Sequence, residues 1–185
     1  MLVHFASSSA YIWSTLKGRT KPNRVTFFLW AVAPFIATAA ALNADVGWAV
    51  IPVFMIGFMP CLIFLASFVN PNAYWKLGTF DYVCGALSVL ALVLWLVTSN
   101  PILAIALALL ADFAAAIPTI IKAWRFPETE HFGAYAGATF NNALVFTYAP
   151  VYTFATIAFP AYTVALCLFI LVGIYRKKIR ATLRF

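Results

Sequence analysis

The chain has 185 residues, of which 65% are hydrophobic, 17% aromatic and only 9% charged, with a formal net charge of +7. Soluble domains are about 45–50% apolar and about 25% charged, so this composition excludes a water-soluble globule, and its hydrophobicity excludes a disordered chain. The apolar residues run in long unbroken stretches rather than the short alternating segments of a membrane β-barrel, which leaves a polytopic, all-α integral membrane protein.

Seven spans are predicted, over residues 1–17, 25–43, 48–69, 80–98, 101–123, 132–149 and 151–175. A span takes about 20 residues, so no soluble domain fits beside them. The breaks carry the Pro, Gly and Asn of ordinary helix stops. Only Pro150 marks the boundary between spans six and seven. Span one holds Ser7, Ser8 and Ser9 but lacks the basic leader and cleavage site of a signal peptide, so it reads as a helix. Cys61, Cys84 and Cys167 all sit inside apolar runs and read as packing residues.

Sorting the charge by loop tests the count. Lys17, Arg19, Lys21 and Arg24 fall in loop one, Lys76 in loop three, and Lys122 and Arg125 in loop five. Arg176, Lys177, Lys178, Arg180 and Arg184 form the tail, and the even loops contain no Lys or Arg. Seven spans therefore put all twelve basic residues on one side, which the positive-inside rule makes cytoplasmic. The expectation is an N-terminus outside and a C-terminus inside the plasma (inner) membrane. The lipid bilayer is thus the first partner, and the net charge is a topology signal rather than a nucleic-acid one. Trp48 and Trp95 near the outer ends, with Trp75 and Trp124 near the inner ends, fit interfacial belts. His4 reads as interfacial as well.

The stretches around loops one and five repeat each other. Aligning AYIWSTLKGRTKPNRVTFFLWAVA from Ala10 with AAIPTIIKAWRFPETEHFGAYAGA from Ala115 matches Ile12 with Ile117, Lys17 with Lys122, Pro22 with Pro127 and Phe27 with Phe132. Trp30 then faces Tyr135. Spans one to three would recur as spans five to seven. An intervening span four restores the orientation, making the halves parallel repeats about an axis along the membrane normal. This predicts a first triple-helix repeat at 1–69, a linker with span four at 70–100, a second repeat at 101–175 and a basic tail at 176–185.

A 3+1+3 arrangement with these two motif stretches, DFAAAIPTIIKAWRFPETE at 112–130 and YIWSTLKGRTKPNRVTFFLW at 11–30, resembles the SWEET and PQ-loop (MtN3-like) superfamily of small-solute membrane transporters. The first stretch is similar to the helix holding that family's Pro-Gln motif and basic turn, although Pro118 is followed here by Thr119. The resemblance implies alternating-access transport of a sugar, amino acid or vitamin-like solute. A non-transporting membrane receptor or interaction protein on the same fold is the alternative.

Asp112 is the one ionisable residue read as lying deep in the membrane, where carboxylates usually face the bundle interior or a water-filled path. Asp112, Ala115, Ala116 and Thr119 share a helix face, and the repeat partners Ser7, Ala10, Tyr11 and Ser14 form a similar small and polar face on span one. Two such faces could line a cavity, with Asp112 as proton-coupling site or substrate acceptor, or else as a protonated or hydrogen-bonded acid that locks helices together. Asn141 and Asn142 are further substrate-contact candidates, or interhelical hydrogen-bonding groups, and Trp30 with Tyr135 could cap the cavity. Pro118 and Pro34 are candidate hinges, since proline removes a helix hydrogen bond. Glu128, Glu130 and His131 read as a solvated loop making salt bridges rather than a metal site, and Asp81 as an acid suited to a helix start. No phosphate loop, Ser-His-Asp set or zinc pattern occurs, so neither an enzyme nor a cofactor is expected. A small-molecule substrate and protons are the expected ligands, and a homo-oligomer stays open.

Overall fold

A computed structural model of the chain describes residues 2–43, 50–148 and 151–182, and every regular element among them is helical. The long helices are α1 (Leu2–Leu16), α2 (Arg24–Asn43), α3 (Val50–Ala66), α4 (Thr79–Val97), α5 (Pro101–Arg125), α6 (Phe132–Ala143) and α8 (Phe154–Thr182), with a single turn, α7, at Val145–Tyr148. Trp48, Pro150 and Arg184 lie outside the described residues, as do the side chains of His4, Lys177, Lys178 and Arg180.

Each predicted span contains a long helix, with two departures. Span six breaks at Leu144, just after Asn142 folds its Nδ2 back onto the Ala138 carbonyl at 2.9 Å, a local side-chain bond that competes with the helix ladder. The tail is not a separate segment, because α8 runs on through it to Thr182.

Helix ends follow local chemistry. Gly18 closes α1 at φ +70°, with Gly18 N–H donating to the Thr15 carbonyl and Arg19 N–H to that of Ser14. This is the glycine-dependent double bond that satisfies the last carbonyls of a helix. Asn23 accepts from the amides of Val25 and Thr26 at the start of α2, and Asn100 accepts from Ile102 and Leu103 ahead of Pro101 in α5. Asp81 accepts from Gly78 N–H at 2.6 Å, the helix-start role expected of it.

Helix α4 is packed the opposite way from a helix of a soluble bundle. In α4 the buried stripe is Asp81, Cys84, Gly85, Ser88, Ala91 and Leu92, while Phe80, Leu87, Leu90, Val93, Leu94 and Val97 face outward. Small residues inside let backbones approach, and large apolar ones outside suit hydrocarbon. Three helical segments, Thr79–Val97, Ile102–Arg125 and Phe154–Arg176, are long and apolar enough to cross a membrane. Close approach is enforced elsewhere too: a Cβ on Gly57 of α3 would sit 2.9 Å from the Ala31 carbonyl of α2.

Helix α3 packs on both α1 and α2, and α8 on both α5 and α6. Two further contacts join these groups, α1 with α6 and α2 with α5, and α4 lies against α5 and α2. The odd loops gather at one end of the bundle. Lys21 N–H donates to the Thr129 carbonyl, Asn70 Nδ2 to the Leu16 carbonyl, and Asn23 Nδ2 to Asp81 Oδ1 at 2.6 Å. The Trp75 and Phe126 rings meet with centroids 5.4 Å apart, and Arg176 bonds the Trp124 carbonyl. We call this the basic end, because it collects the Lys and Arg of loops one, three and five.

Candidate functional site

Between the helix groups lies a cavity of about 320 Å³, lined by residues of α1 to α6 and α8. Its wall is mainly apolar, with Leu29, Ala33, Ile56, Ile63, Leu92 and Leu166 facing it. Among the described residues, Asp112 is the single acidic residue on that wall. Tyr162 of α8 donates its hydroxyl to Asp112 Oδ2 at 2.7 Å. The Trp30 indole N–H is buried without a hydrogen-bond partner among the described residues, and Trp30 shares the cavity wall with Asp112.

The expected site residues divide into two groups. Asp112, Asn141, Asn142, Trp30 and the hinge candidate Pro34 do line the cavity. Ser7, Ser14, Thr119 and Pro118 do not. On α1 it is Ser8 that faces the cavity, while the Ser7 carbonyl lies against Gly133, where a Cβ would sit 2.5 Å away. Thr119 is fully buried, donating to Thr26 Oγ1 at 3.0 Å, and Thr26 in turn donates to the Ala115 carbonyl at 2.7 Å. The face predicted from Asp112 to Thr119 is therefore shared: Asp112 and Ala115 look into the cavity, and Thr119 seals α5 against α2. Tyr135 lines the cavity but does more than cap it, as follows.

Toward the basic end the cavity is floored by Phe27 and Tyr135, with Tyr11 behind them, the Tyr11 ring 5.4 Å from Phe27 and 6.2 Å from Tyr135. Beneath lies a buried ionic network. Glu130 Oε1 pairs with Lys122 Nζ, and Glu130 Oε2 accepts from Tyr11 at 2.8 Å and Tyr135 at 2.9 Å. The two charged side chains are 1% and 0% exposed, and Lys122 also lies 5.2 Å from the centroid of the Trp75 ring. This corrects the expectation of a solvated fifth loop. Glu128 is exposed, but the turn at Pro127–Thr129 carries Glu130 inward, where the cation and two hydroxyls compensate its charge.

His131 follows directly and caps α6, its Nδ1 accepting from Gly133 N–H at 3.0 Å. Burial holds its imidazole below the ordinary histidine value, against a smaller upward pull from Glu130. The capping form is the neutral ring with its proton on Nε2, since a protonated Nδ1 cannot accept.

Sequence reasoning missed Tyr162 as the partner of Asp112 and Glu130 as the centre of the network. Tyr162 had no signal beyond a hydroxyl inside an apolar run. Glu130 had one: it follows closely after Lys122, a cation at the end of the preceding span. Compared with protein-family models, curated proteins and solved structures, the chain matches none.

Proposed function

We propose that this protein is a membrane transporter of a small solute, working by alternating access around the cavity at Asp112. The observation that carries the reading is a cavity with a polar anchor whose basic end is sealed by the Lys122–Glu130–Tyr11–Tyr135 network. A protein that only scaffolds partners has no need of such an internal space.

The contact pattern supports a 3+1+3 arrangement. Exchanging α1, α2 and α3 with α5, α6 and α8 turns the α1–α6 contact into α5–α2, and the bridging role of α3 into that of α8. Pairing of this kind is what two parallel repeats produce. With the basic end cytoplasmic, the closed side faces the cytoplasm. Opening it means parting α1 from α6 at Tyr11–Glu130–Tyr135 and α2 from α5 at Thr26–Thr119. Pro34 and Pro118 lie in α2 and α5, each without an amide donor for the carbonyl four residues earlier, so both helices can bend where the halves rock. Asp112 is the site for polar recognition of the solute or for proton coupling.

Uptake by proteoliposomes containing purified protein tests the reading, across sugars, amino acids, amines and vitamins. Accumulation of at least one solute is expected, with Asp112→Asn abolishing uptake or its pH dependence. Uptake and pH dependence both unchanged in Asp112→Asn would remove Asp112 from the mechanism. No flux of any solute above protein-free vesicles favours the receptor reading.

A further inference from the structure

We infer that the cavity takes a small organic monocation, a protonated amine on a compact apolar body, with Asp112 as its counter-charge. This rests on the transport reading of the cavity and narrows the solute by the chemistry of the wall.

Charge comes first. Among the described residues the wall carries one acid, Asp112, and no Lys, Arg or His. The nearby Lys122 is committed to Glu130 beneath the floor. An anionic solute would lie unpaired beside a carboxylate, which is the costly arrangement for a buried charge. A zwitterionic amino acid has the same problem, because its carboxylate finds no cation. A dication would leave its second charge without a partner. One positive charge and no negative one is the state that this wall balances.

Hydrogen-bonding capacity comes second. A sugar needs partners for each hydroxyl it buries, and polar groups are a small part of this wall, chiefly Ser8, Ser88, Asn141, Asn142, Thr163 and the Trp30 indole N–H beside Asp112. Thr163 already donates to the Phe159 carbonyl at 2.9 Å, Asn142 to Ala138 and Tyr135 to Glu130. The remaining surface is largely aliphatic and aromatic, which suits an apolar body. Tyr162 engages only Oδ2 of Asp112, whereas a carboxylate accepts at both oxygens, so an ammonium can bond it without displacing the tyrosine.

The aromatic lining is the third argument. Trp30, Trp95, Phe27 and Phe159 all contribute to the wall, and ammonium groups are attracted to aromatic faces, most strongly to those of Trp. The carboxylate and the rings thus favour the same ligand charge.

The test measures binding separately from flux. Purified protein in nanodiscs is titrated with 2-phenylethylamine and cyclohexylamine, their neutral counterparts 2-phenylethanol and cyclohexanol, the anion 3-phenylpropanoate, and D-glucose. Binding is read by calorimetry and tryptophan fluorescence. At least one amine is expected to bind about tenfold or more tightly than its alcohol. Asp112→Asn should erase that ratio, and Asp112→Glu, which keeps the charge, should retain it. The retained ratio in Asp112→Glu separates loss of charge from a damaged fold. Equal binding of amine and alcohol, preference for phenylpropanoate or glucose, an amine preference that survives Asp112→Asn, or no amine binding at all would each overturn the inference. Amine binding without uptake in proteoliposomes would instead count against transport while leaving the ligand class standing. Glucose uptake without amine binding would do the reverse.

Discussion

The buried pair at the floor of the cavity offers the sharpest test of how this bundle is held. Glu130→Ala removes the partner of a Lys122 ammonium that is 1% exposed, and takes the acceptor from two tyrosyl hydroxyls. Stranding one member of a buried pair costs about 3–5 kcal/mol. The orphaned hydroxyls add to this by ~1 kcal/mol each if water does not reach them. Lys122→Met should be milder, because the carboxylate keeps both tyrosyl donors, and hydrogen bonds to a charged group contribute about 1.5–3 kcal/mol apiece. Without Glu130, Lys122 keeps the Trp75 ring at 5.2 Å and the more remote Asp81 carboxylate. The double variant Lys122→Met/Glu130→Gln removes both charges and keeps an acceptor for the tyrosines, so it should fall below Glu130→Ala in cost. Reversible unfolding by SDS titration in mixed micelles measures all three. A Glu130→Ala variant within about 1 kcal/mol of the parent, or a Lys122→Met variant that is the more damaging of the two singles, would refute this account of the network.

Two further outcomes are expected. The depressed imidazole of His131 makes stability pH-dependent with a definite sign: the unfolded chain takes the proton first, so stability is lost as pH falls below the ordinary histidine value of 6.5 and is level above it. His131→Asn preserves a cap acceptor and should show a smaller loss between about pH 7.5 and pH 5 on the same SDS titration; an equal loss in both proteins would place the effect elsewhere. Gly18→Ala forces a Cβ into the left-handed region at φ +70° and to 2.8 Å from Asn72 Cβ, so it should lower stability by about 1–2 kcal/mol. An unchanged unfolding midpoint would show that loops one and three separate freely.

Much of this bundle was legible because a membrane imposes one-dimensional constraints. Length and apolarity mark a span regardless of what it packs against, and so α4 and α5 were found nearly to their ends, whereas α8 runs on past its apolar stretch into the basic tail. Loop charge predicted that loops one, three and five share a side, and the Lys21–Thr129 and Asn23–Asp81 bonds join these regions. Where the backbone departs locally from a continuous helix, prediction failed. The regular helix of span six is interrupted at Leu144, next to the Asn142–Ala138 bond, which composition averaged over twenty residues cannot register.

Chain order alone determined the apolar character, the helical class and the sorting of basic residues among the loops, because each depends on local composition or on spacing along one helix. Only the tertiary structure decided which face of α1 and α5 meets a cavity, that Tyr162 holds Asp112, and that Glu130 is buried rather than solvated. Those outcomes depend on the rotation of each helix and on groups far apart in the chain, such as Tyr11 and Glu130, that meet only once the bundle has packed. The physical reason is that the cost of burying a charge depends on its partners in space, and hydropathy carries no record of them.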